Sequence, residues 1–351
     1  MRTAEMRPAA GSTIELPLAQ ARALGGRVLE KLGYPAASRE TILDHLIDCE
    51  LRGLGFSGLA RLISVAERLG RAGPPLGEIG TERETPVSAL VTGGDQIGYL
   101  VAHRATRIAI DKALASGIAV VGARDTWYTG MLSFYAEMAA QQGLVTLITS
   151  HTAPWVAPAG GTQARYGTNP ICIGVPCGDN PVIWDIGTSA LIHAQATLAA
   201  RLGQELPEGC AFDAQGQPTR NPVAALAGAF APWGGHRGSG LGMMIQILGG
   251  LTGAAFAPEG LAGFGFLVIA MRADLFGDAA AFEAGLSAYA DLVRETPRLE
   301  PDLPVRLPFD RSRELRARRL FVGTIPVEKV VIDQLGALAL APSPACREDQ
   351  R

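Results

Sequence analysis

The chain has 351 residues, 48% of them hydrophobic, with 31 basic against 34 acidic side chains and a formal net charge of -3. That length can bury a sizeable core in two or three lobes. The slightly acidic balance offers no basic field for a phosphate backbone, so nucleic acid is not an expected partner. Five cysteines, at 49, 172, 177, 210 and 346, form neither a CxxC pair nor a disulfide-dense layout, which fits a reducing compartment. The first residues lack an apolar run ahead of a cleavage site. The apolar runs near 223–232 and 262–270 are too short, or too rich in Gly and Pro, to span a bilayer. A cytoplasmic protein without membrane contact is the expectation.

In chain order, 14–18 reads as extended, 19–33 as a helix closed by Gly33, and 37–50 as a second helix with Ile42, Leu43, Leu46, Ile47 and Leu51 along its apolar face. Asp44, His45, Asp48 and Glu50 fall on the other faces, where His45 needs no special role. The glycine-rich stretch 53–58 leads into a helix over 58–69 that carries Arg61 and Arg68. Ser57 reads either as its N-cap or as a hydroxyl placed into a pocket. A boundary follows at 71–75. Next come a strand at 87–92, a turn at 93–98, a helix over 99–116 and a strand at 118–121. The loop 124–130, with Trp127 and Tyr128, can hold a small polar ligand or simply pack over the start of a helix at 131–142, after which 144–149 is a strand.

The stretch 160–189 organises the chain. Apolar runs at 171–175 and 181–186 flank a Cys-Gly-Asp-Asn-Pro turn and read as a hairpin or two closely connected strands, with Asp185 inside the second. Asp185 is either a site carboxylate beside free backbone N–H groups or a structural turn cap. Thr188 or Ser189 then caps a helix over 190–201. The loop 231–240 contains His236 and Arg237 and enters a helix at 241–251. Such a junction suits a pyrophosphate or carboxylate clamp, or is only a flexible entry to a core helix. A strand at 264–271, a helix over 276–295, a Pro-rich loop at 300–310, an arginine-rich helix at 311–319, a last helix over 326–340 and a frayed end at 341–351 complete the reading.

Neither GxGxxG after a strand nor a P-loop is present. From about 14 to 340 the chain nevertheless resembles the second type of malate/L-lactate dehydrogenase, a family that includes ureidoglycolate and sulfolactate dehydrogenases, diketogulonate reductases and reductases of cyclic imino acids. The resemblance rests on Leu51-Arg52-Gly53 with Gly58-Leu59-Ala60-Arg61-Leu62, on Gly167-Thr168-Asn169-Pro170, on Asp185-Ile186-Gly187-Thr188-Ser189, on Leu206-Pro207-Glu208-Gly209, on Asp213 with Gly216, Pro218 and Thr219, and on Gly235-His236-Arg237-Gly238-Ser239-Gly240-Leu241. It implies an α/β, non-Rossmann nicotinamide-binding fold with a mainly antiparallel seven-stranded sheet. A separate helical domain would be built from 1–80 and 300–351, with the sheet-containing cofactor domain over 81–299, and homodimers are expected. It further implies NAD or NADP held by Ile183, Trp184, Ile186, Gly187, Thr188, Ser189, His236, Arg237, Pro308, Phe309 and Asp310, and a small carboxylate substrate held by Arg61, Arg52 and Thr168.

Several positions depart from the family pattern. A family lysine is Arg237, and the family's Pro-Gly-Glu is Pro308-Phe309-Asp310. The family's Asp-Ser-His-Gly reads Gly55-Phe56-Ser57-Gly58, so its acid–base histidine has become Ser57, and a second pocket histidine has become Tyr128. Ketone reduction needs a proton for the developing alkoxide, which an imidazole supplies near neutrality and a serine hydroxyl does not. A C=N bond makes a smaller demand, because Asp185 could hold an iminium or supply its proton while Arg61 pairs with the substrate carboxylate. The expectation is an NAD(P)H-dependent reductase of cyclic imino acids with Asp185, Ser57 and Tyr128 as catalytic candidates. A 2-hydroxy/2-oxo acid dehydrogenase is the alternative, as is a catalytically inactive cofactor- or ligand-binding homologue. The histidines at 45, 103, 151, 193 and 236 form no ligand set, so no metal is expected.

Overall fold

A computed structural model describes residues 13–341, and the expected fray beyond 341 lies outside the described residues. Strand β1 (Thr13–Pro17) leads into helices α1 (Leu18–Lys31) and α2 (Ala36–Leu51), a short 3₁₀ turn at Gly55–Ser57, and α3 (Ala60–Ala72). The sheet region follows: β2 (Gly80–Thr85), β3 (Ser88–Ile97), α4 (Gly98–Ser116), β4 (Ile118–Trp127), α5 (Leu132–Ala140), β5 (Leu144–His151), β6 (Ile171–Val175) and β7 (Val182–Ile186). Then come α6 (His193–Leu202), β8 (Ala211–Phe212), α7 (Pro222–Ala227), β9 (Ala229–Phe230), α8 (His236–Leu251) and β10 (Phe264–Arg272). The chain closes with α9 (Ala279–Arg294), α10 (Asp310–Val322), β11 (Thr324–Glu328) and α11 (Lys329–Leu340).

The central sheet has seven strands in the order β2-β3-β4-β10-β5-β6-β7. Only β3 and β4 run parallel; every other neighbouring pair is antiparallel. Two parallel neighbours need a crossover, and the 19-residue α4 supplies it. Helices α4 and α5 cover the sheet through Val101, Ala105, Leu132, Tyr135 and Ala136, which meet Val121, Ile148, Phe266 and Val268. Small alanines on both helices let them lie close to the β-branched strand faces.

The two chain ends meet in a ribbon of β1 and β11, in register from Thr13 opposite Glu328 to Pro17 opposite Thr324. Here the structure corrects the sequence: 326–340 is not one helix, because 324–328 is drawn into a strand by the unpaired backbone of β1. Around this ribbon Val28, Leu29, Leu46, Leu59, Leu62, Ile325 and Leu335 form one core, continuous with Ile97, Trp127 and Phe264 of the sheet region. A third cluster, with Val156, Tyr166, Leu191, Leu206 and Phe230, packs under the turn-rich segment.

Other boundaries also move. Strand β2 has five exposed residues among its six and carried no apolar signal. Strand β4 continues six residues beyond 121 because Thr126 and Trp127 pair with Gln96 and Ile97. Helix α8 begins at His236, well before the expected 241. Helix α6 begins at His193 and is capped by Gln195, whose side-chain oxygen accepts from the Ile192 N–H at 3.0 Å. The hydroxyls expected to cap it serve elsewhere: Thr188 donates to the Thr168 and Asn169 carbonyls and Ser189 to that of Leu191. His45, Asp48 and Glu50 are buried rather than solvated, because α2 is covered on several sides by α1, α4 and α10.

Candidate active site

A cavity of about 310 Å³ opens between α3, α6 and the carboxyl-terminal ends of β4 and β7. It brings together Ser57, Arg61, Tyr128, Thr168, Asp185 and Gly187, residues from four separate stretches of the sequence. A slightly larger cavity of about 350 Å³ is bounded by Asp44, Asp48, Glu137 and Arg316. Asp48 there accepts from Arg316 Nε at 2.5 Å, and Glu137 from Arg52 Nη2 at 2.6 Å, so its charges are satisfied within the protein. The first cavity holds a charge that is not.

That charge is Arg61. It is buried, it lies on α3, and no carboxylate pairs with it among the described residues. Its guanidinium sits 3.9 Å from the centre of the Tyr128 ring, a cation–π contact strengthened by exclusion of water. Tyr128 reaches this place through a backbone with φ 54°, a left-handed conformation that few non-glycine residues adopt. The turn is held from below: a Cβ on Gly98 would lie 2.7 Å from the Thr129 backbone, and one on Gly130 would lie 2.2 Å from His45 Nε2. His45 accepts from the Met131 N–H at 2.9 Å and packs against Tyr99 and Phe134. Burial drops its pKa to about 3, so it stays a neutral acceptor under the loop.

Asp185 enters from β7 and accepts from the Ser133 N–H at 2.7 Å. Its carboxylate therefore caps the amino end of α5, whose own N-cap, Met131, has no oxygen to offer. Burial raises the Asp185 pKa, and hydrogen bonds from Ser133 and the Leu132 backbone limit the rise. Asp185 thus has the capping role that sequence offered as one reading, and it also lines the cavity.

Thr168 and Asn169 are fixed by Gln246 of α8. Gln246 Oε1 accepts from the Gly167 N–H at 2.9 Å and from Asn169 Nδ2 at 2.7 Å, while its Nε2 donates to the Thr152 and Phe256 carbonyls. Asn169, at φ 35°, also donates to the Gly242 carbonyl. This buried glutamine has no local sequence signal, because Thr152, Gly167 and Asn169 lie far along the chain.

The 183–189 segment and the start of α8 are adjacent. Trp233 N–H donates to the Thr188 carbonyl at 2.9 Å, and Ser189 bridges to Pro232. His236 and Arg237 are exposed in the first turn of α8, after Gly234 and Gly235 with φ 60° and 63° and open space where their Cβ atoms would lie. Free first-turn N–H groups beside a cation and an uncrowded backbone suit a pyrophosphate. The residues present therefore fit a dinucleotide.

Other expected site residues are not gathered here. Arg52 lies outside the cavity lining and is buried between Asp48 and Glu137 at 2.6 Å each, under the Phe309 ring at 4.4 Å. With both carboxylates already bound, its guanidinium is committed to joining α2 to α5. Phe309 has φ 78°, which accounts physically for the glycine expected there by resemblance and places about 1–3 kcal/mol of strain on the phenylalanine. Asp310 accepts from Arg294 and Arg313 at 3.1 Å. Burial alone would raise its pKa, but Arg294 and the Leu307 N–H hold it below the ordinary value. Pro308 precedes this ion-paired helix start.

The cavity contains one group that the motif reading passed over, His193, the first residue of α6. Its ring stacks on Trp155 at 4.3 Å. Burial first, and the Arg61 charge second, lower its pKa to about 3.

A mainly antiparallel seven-stranded sheet, with a carboxylate and a buried arginine that no carboxylate pairs with among the described residues at one cavity, sets this chain apart from a standard Rossmann dinucleotide fold. The family model for malate/L-lactate dehydrogenase matches residues 16–336, and the chain belongs to that family as an NAD(P)-linked oxidoreductase. An L-sulfolactate dehydrogenase from Methanothermobacter thermautotrophicus is 35% identical over 280 residues, 77% of this chain and 82% of that protein. A Delta(1)-pyrroline-2-carboxylate/Delta(1)-piperideine-2-carboxylate reductase from Pseudomonas putida is 32% identical over 261 residues, 72% of this chain and 75% of the reductase. The crystal structure of a dehydrogenase from Sinorhizobium meliloti superposes with a TM-score of 0.86 at 34% identity, covering 93% of this chain and 98% of the other.

Proposed function

We propose that the chain interconverts a small 2-hydroxy monocarboxylate and the matching 2-oxo acid with NAD or NADP. The observation that carries the reading is Arg61, a buried cation in the cavity with no protein carboxylate to neutralise it. A buried charge left unpaired is costly, and a substrate carboxylate removes that cost on binding. Arg61 is the one arginine or lysine lining the cavity among the described residues, and Phe56, Trp155 and Phe264 supply apolar wall. One carboxylate and an apolar side group fit this lining better than two anionic groups do.

The motif-based preference for imines rested on the lost histidines at 57 and 128. With an imidazole in the cavity, the reduction of a carbonyl no longer lacks a proton carrier. Cyclic imino acid reduction remains the second reading, favoured by Asp185, which could hold a cationic nitrogen.

We assign Ile183, Trp184, Ile186, Gly187, Thr188 and Ser189, with His236 and Arg237, to the cofactor, and the 308–310 segment to the rim of its site. When bound, a nicotinamide supplies or accepts hydride. Thr168 positions the substrate from the loop held by Gln246. Helix α8 exposes Met243, Met244, Ile247 and Leu251, a stripe that the expected homodimer would cover. No helix among the described residues is long and apolar enough to cross a membrane.

Fluorescence titration with NADH and NADPH, followed by turnover of pyruvate, larger 2-oxo monocarboxylates, oxaloacetate and 1-pyrroline-2-carboxylate, tests the reading. Monocarboxylic 2-oxo acids should lead. Turnover confined to the imine would establish the second reading, and failure to bind either nucleotide would remove both.

A further inference from the structure

We propose that His193 is the acid–base residue of this site, taking over from another wall of the cavity the proton transfer that Ser57 cannot perform, and that the substrate carboxylate switches it on by neutralising Arg61. The inference rests on the dehydrogenase reading for its substrate, and what brings Arg61 and His193 together is the cavity that both line.

The imidazole is oriented at three points. Gln195 fixes the start of α6 by accepting from Ile192 N–H, so the backbone of His193 is held. Trp155 covers one ring face. Nδ1 lies 3.3 Å from Thr197 Oγ1, and that hydroxyl already spends its single proton on the His193 carbonyl at 2.8 Å. Thr197 Oγ1 therefore accepts from Nδ1–H, which fixes the tautomer and leaves Nε2 bare. Nε2 has no protein partner among the described residues and is not sealed from solvent. It is the nitrogen available to a ligand in the cavity.

The ionisable groups sharing this space are Arg61 from α3, Tyr99 from α4, Tyr128 from the end of β4 and Asp185 from β7. Arg201, farther along α6, is occupied by Glu67 at 2.8 Å. Burial and the Arg61 charge keep the imidazole neutral while the cavity is free of substrate. A carboxylate on Arg61 cancels that charge, so the imidazole gains affinity for a proton as the substrate arrives.

In the reductive direction the carbonyl carbon gains a hydride from the reduced nicotinamide, forming a C–H bond. The π pair of the C=O bond moves to oxygen, and that oxygen takes the proton from Nε2. The imidazole returns to neutral and takes its next proton from solvent when another substrate carboxylate settles on Arg61. In the oxidative direction neutral Nε2 accepts the hydroxyl proton as hydride departs.

Two measurements on the full-length protein decide the matter. The first compares wild type with H193Q. A catalytic acid–base role requires kcat to fall roughly 100- to 10,000-fold, with the nucleotide titration and unfolding midpoint unchanged. A loss under threefold overturns the role. The second follows the imidazole resonances of protein labelled with ¹⁵N-histidine, assigned by difference from H193Q, while oxamate is added without nucleotide. His193 should take up its proton at a higher pH with oxamate present than without it, and the oxamate dependence should vanish in R61Q. Oxamate that binds without moving the His193 signal overturns the switch. Proton uptake without turnover of any 2-oxo acid would leave the coupling standing and place the failure on the substrate reading.

Discussion

The guanidinium of Arg61 lies over the Tyr128 ring, 3.9 Å from its centre, and the tyrosine holds that position at φ 54°. A strained backbone and a buried charge are thus joined at one contact, where the ring orients the cation toward the cavity. Replacing Arg61 separates its roles. R61Q removes the charge and should raise KM at least ~30-fold, on the scale of about 2 kcal/mol for a desolvated charge pair. R61K retains charge but loses the planar stack and fork, and should recover only part of that loss. Steady-state kinetics with a monocarboxylic 2-oxo acid would show it, and an unchanged KM in R61Q would remove Arg61 from the substrate.

Y128F separates the ring from the hydroxyl. The ring is what Arg61 stacks on, and with His193 carrying the proton the hydroxyl is not required for it. The variant should keep kcat within about threefold, far from the loss of roughly 100-fold or more that removing a general acid brings. A loss of that larger size would move the proton role to Tyr128.

Glu50 lies beneath the Gly55–Gly58 turn and accepts from the Leu59 N–H at 2.8 Å, with its own carbonyl taken by Arg319. Burial pushes its pKa up to about 8, against the Leu59 hydrogen bond and the Arg319 charge, from an ordinary 4.5. The folded form therefore holds a proton that the unfolded chain releases. That contribution to stability is full below about 4.5 and is lost as pH rises through about 8. Between those values E50Q should gain on wild type by up to about 1.4 kcal/mol per pH unit. Denaturant midpoints across pH 4–9 test this, and parallel profiles for the two proteins would contradict it.

Gly130 combines φ 78° with a Cβ position 2.2 Å from His45 Nε2. G130A should cost about 3 kcal/mol or more, adding overpacking against an immobile ring to backbone strain. Gly143, at φ 72° with open space around it, provides the control. G143A should lose only about 1 kcal/mol, the backbone share alone. Equal losses in the two variants would mean that the His45 contact is soft.

Much of the site was readable before any coordinates, because its residues sit in locally coded punctuation. Gly167–Pro170 is a run of turn-forming residues, Asp185 sits in the second strand of a hairpin, and Arg61 lies in the first turn of a helix after a run of glycines. Of two alternatives that sequence left open for Asp185, the capping role is seen in the Ser133 hydrogen bond, and the same carboxylate lines the cavity. Arg52 shows the limit of motif transfer: a guanidinium next to an expected site is drawn away by Asp48 and Glu137, one of them on a different element. The burial of His45 was missed for a similar reason, since a polar side chain on a helix reads as solvated until the elements that cover it are known.

By itself the sequence determined the family, the near-complete extent of the resemblance, and the order of most of the longer helices and strands, since turn chemistry and apolar periodicity act over a few residues. It also determined that the usual histidines are gone from 57 and 128. Only the tertiary structure decided that 324–328 is a strand, because that depends on the unpaired backbone of β1 at the other end of the chain. It alone set Gln246 beneath the Thr168 loop and placed His193 in the same cavity as Arg61. The effect of a charge on an imidazole follows their separation in space, and no local pattern encodes the separation of two residues carried by different helices.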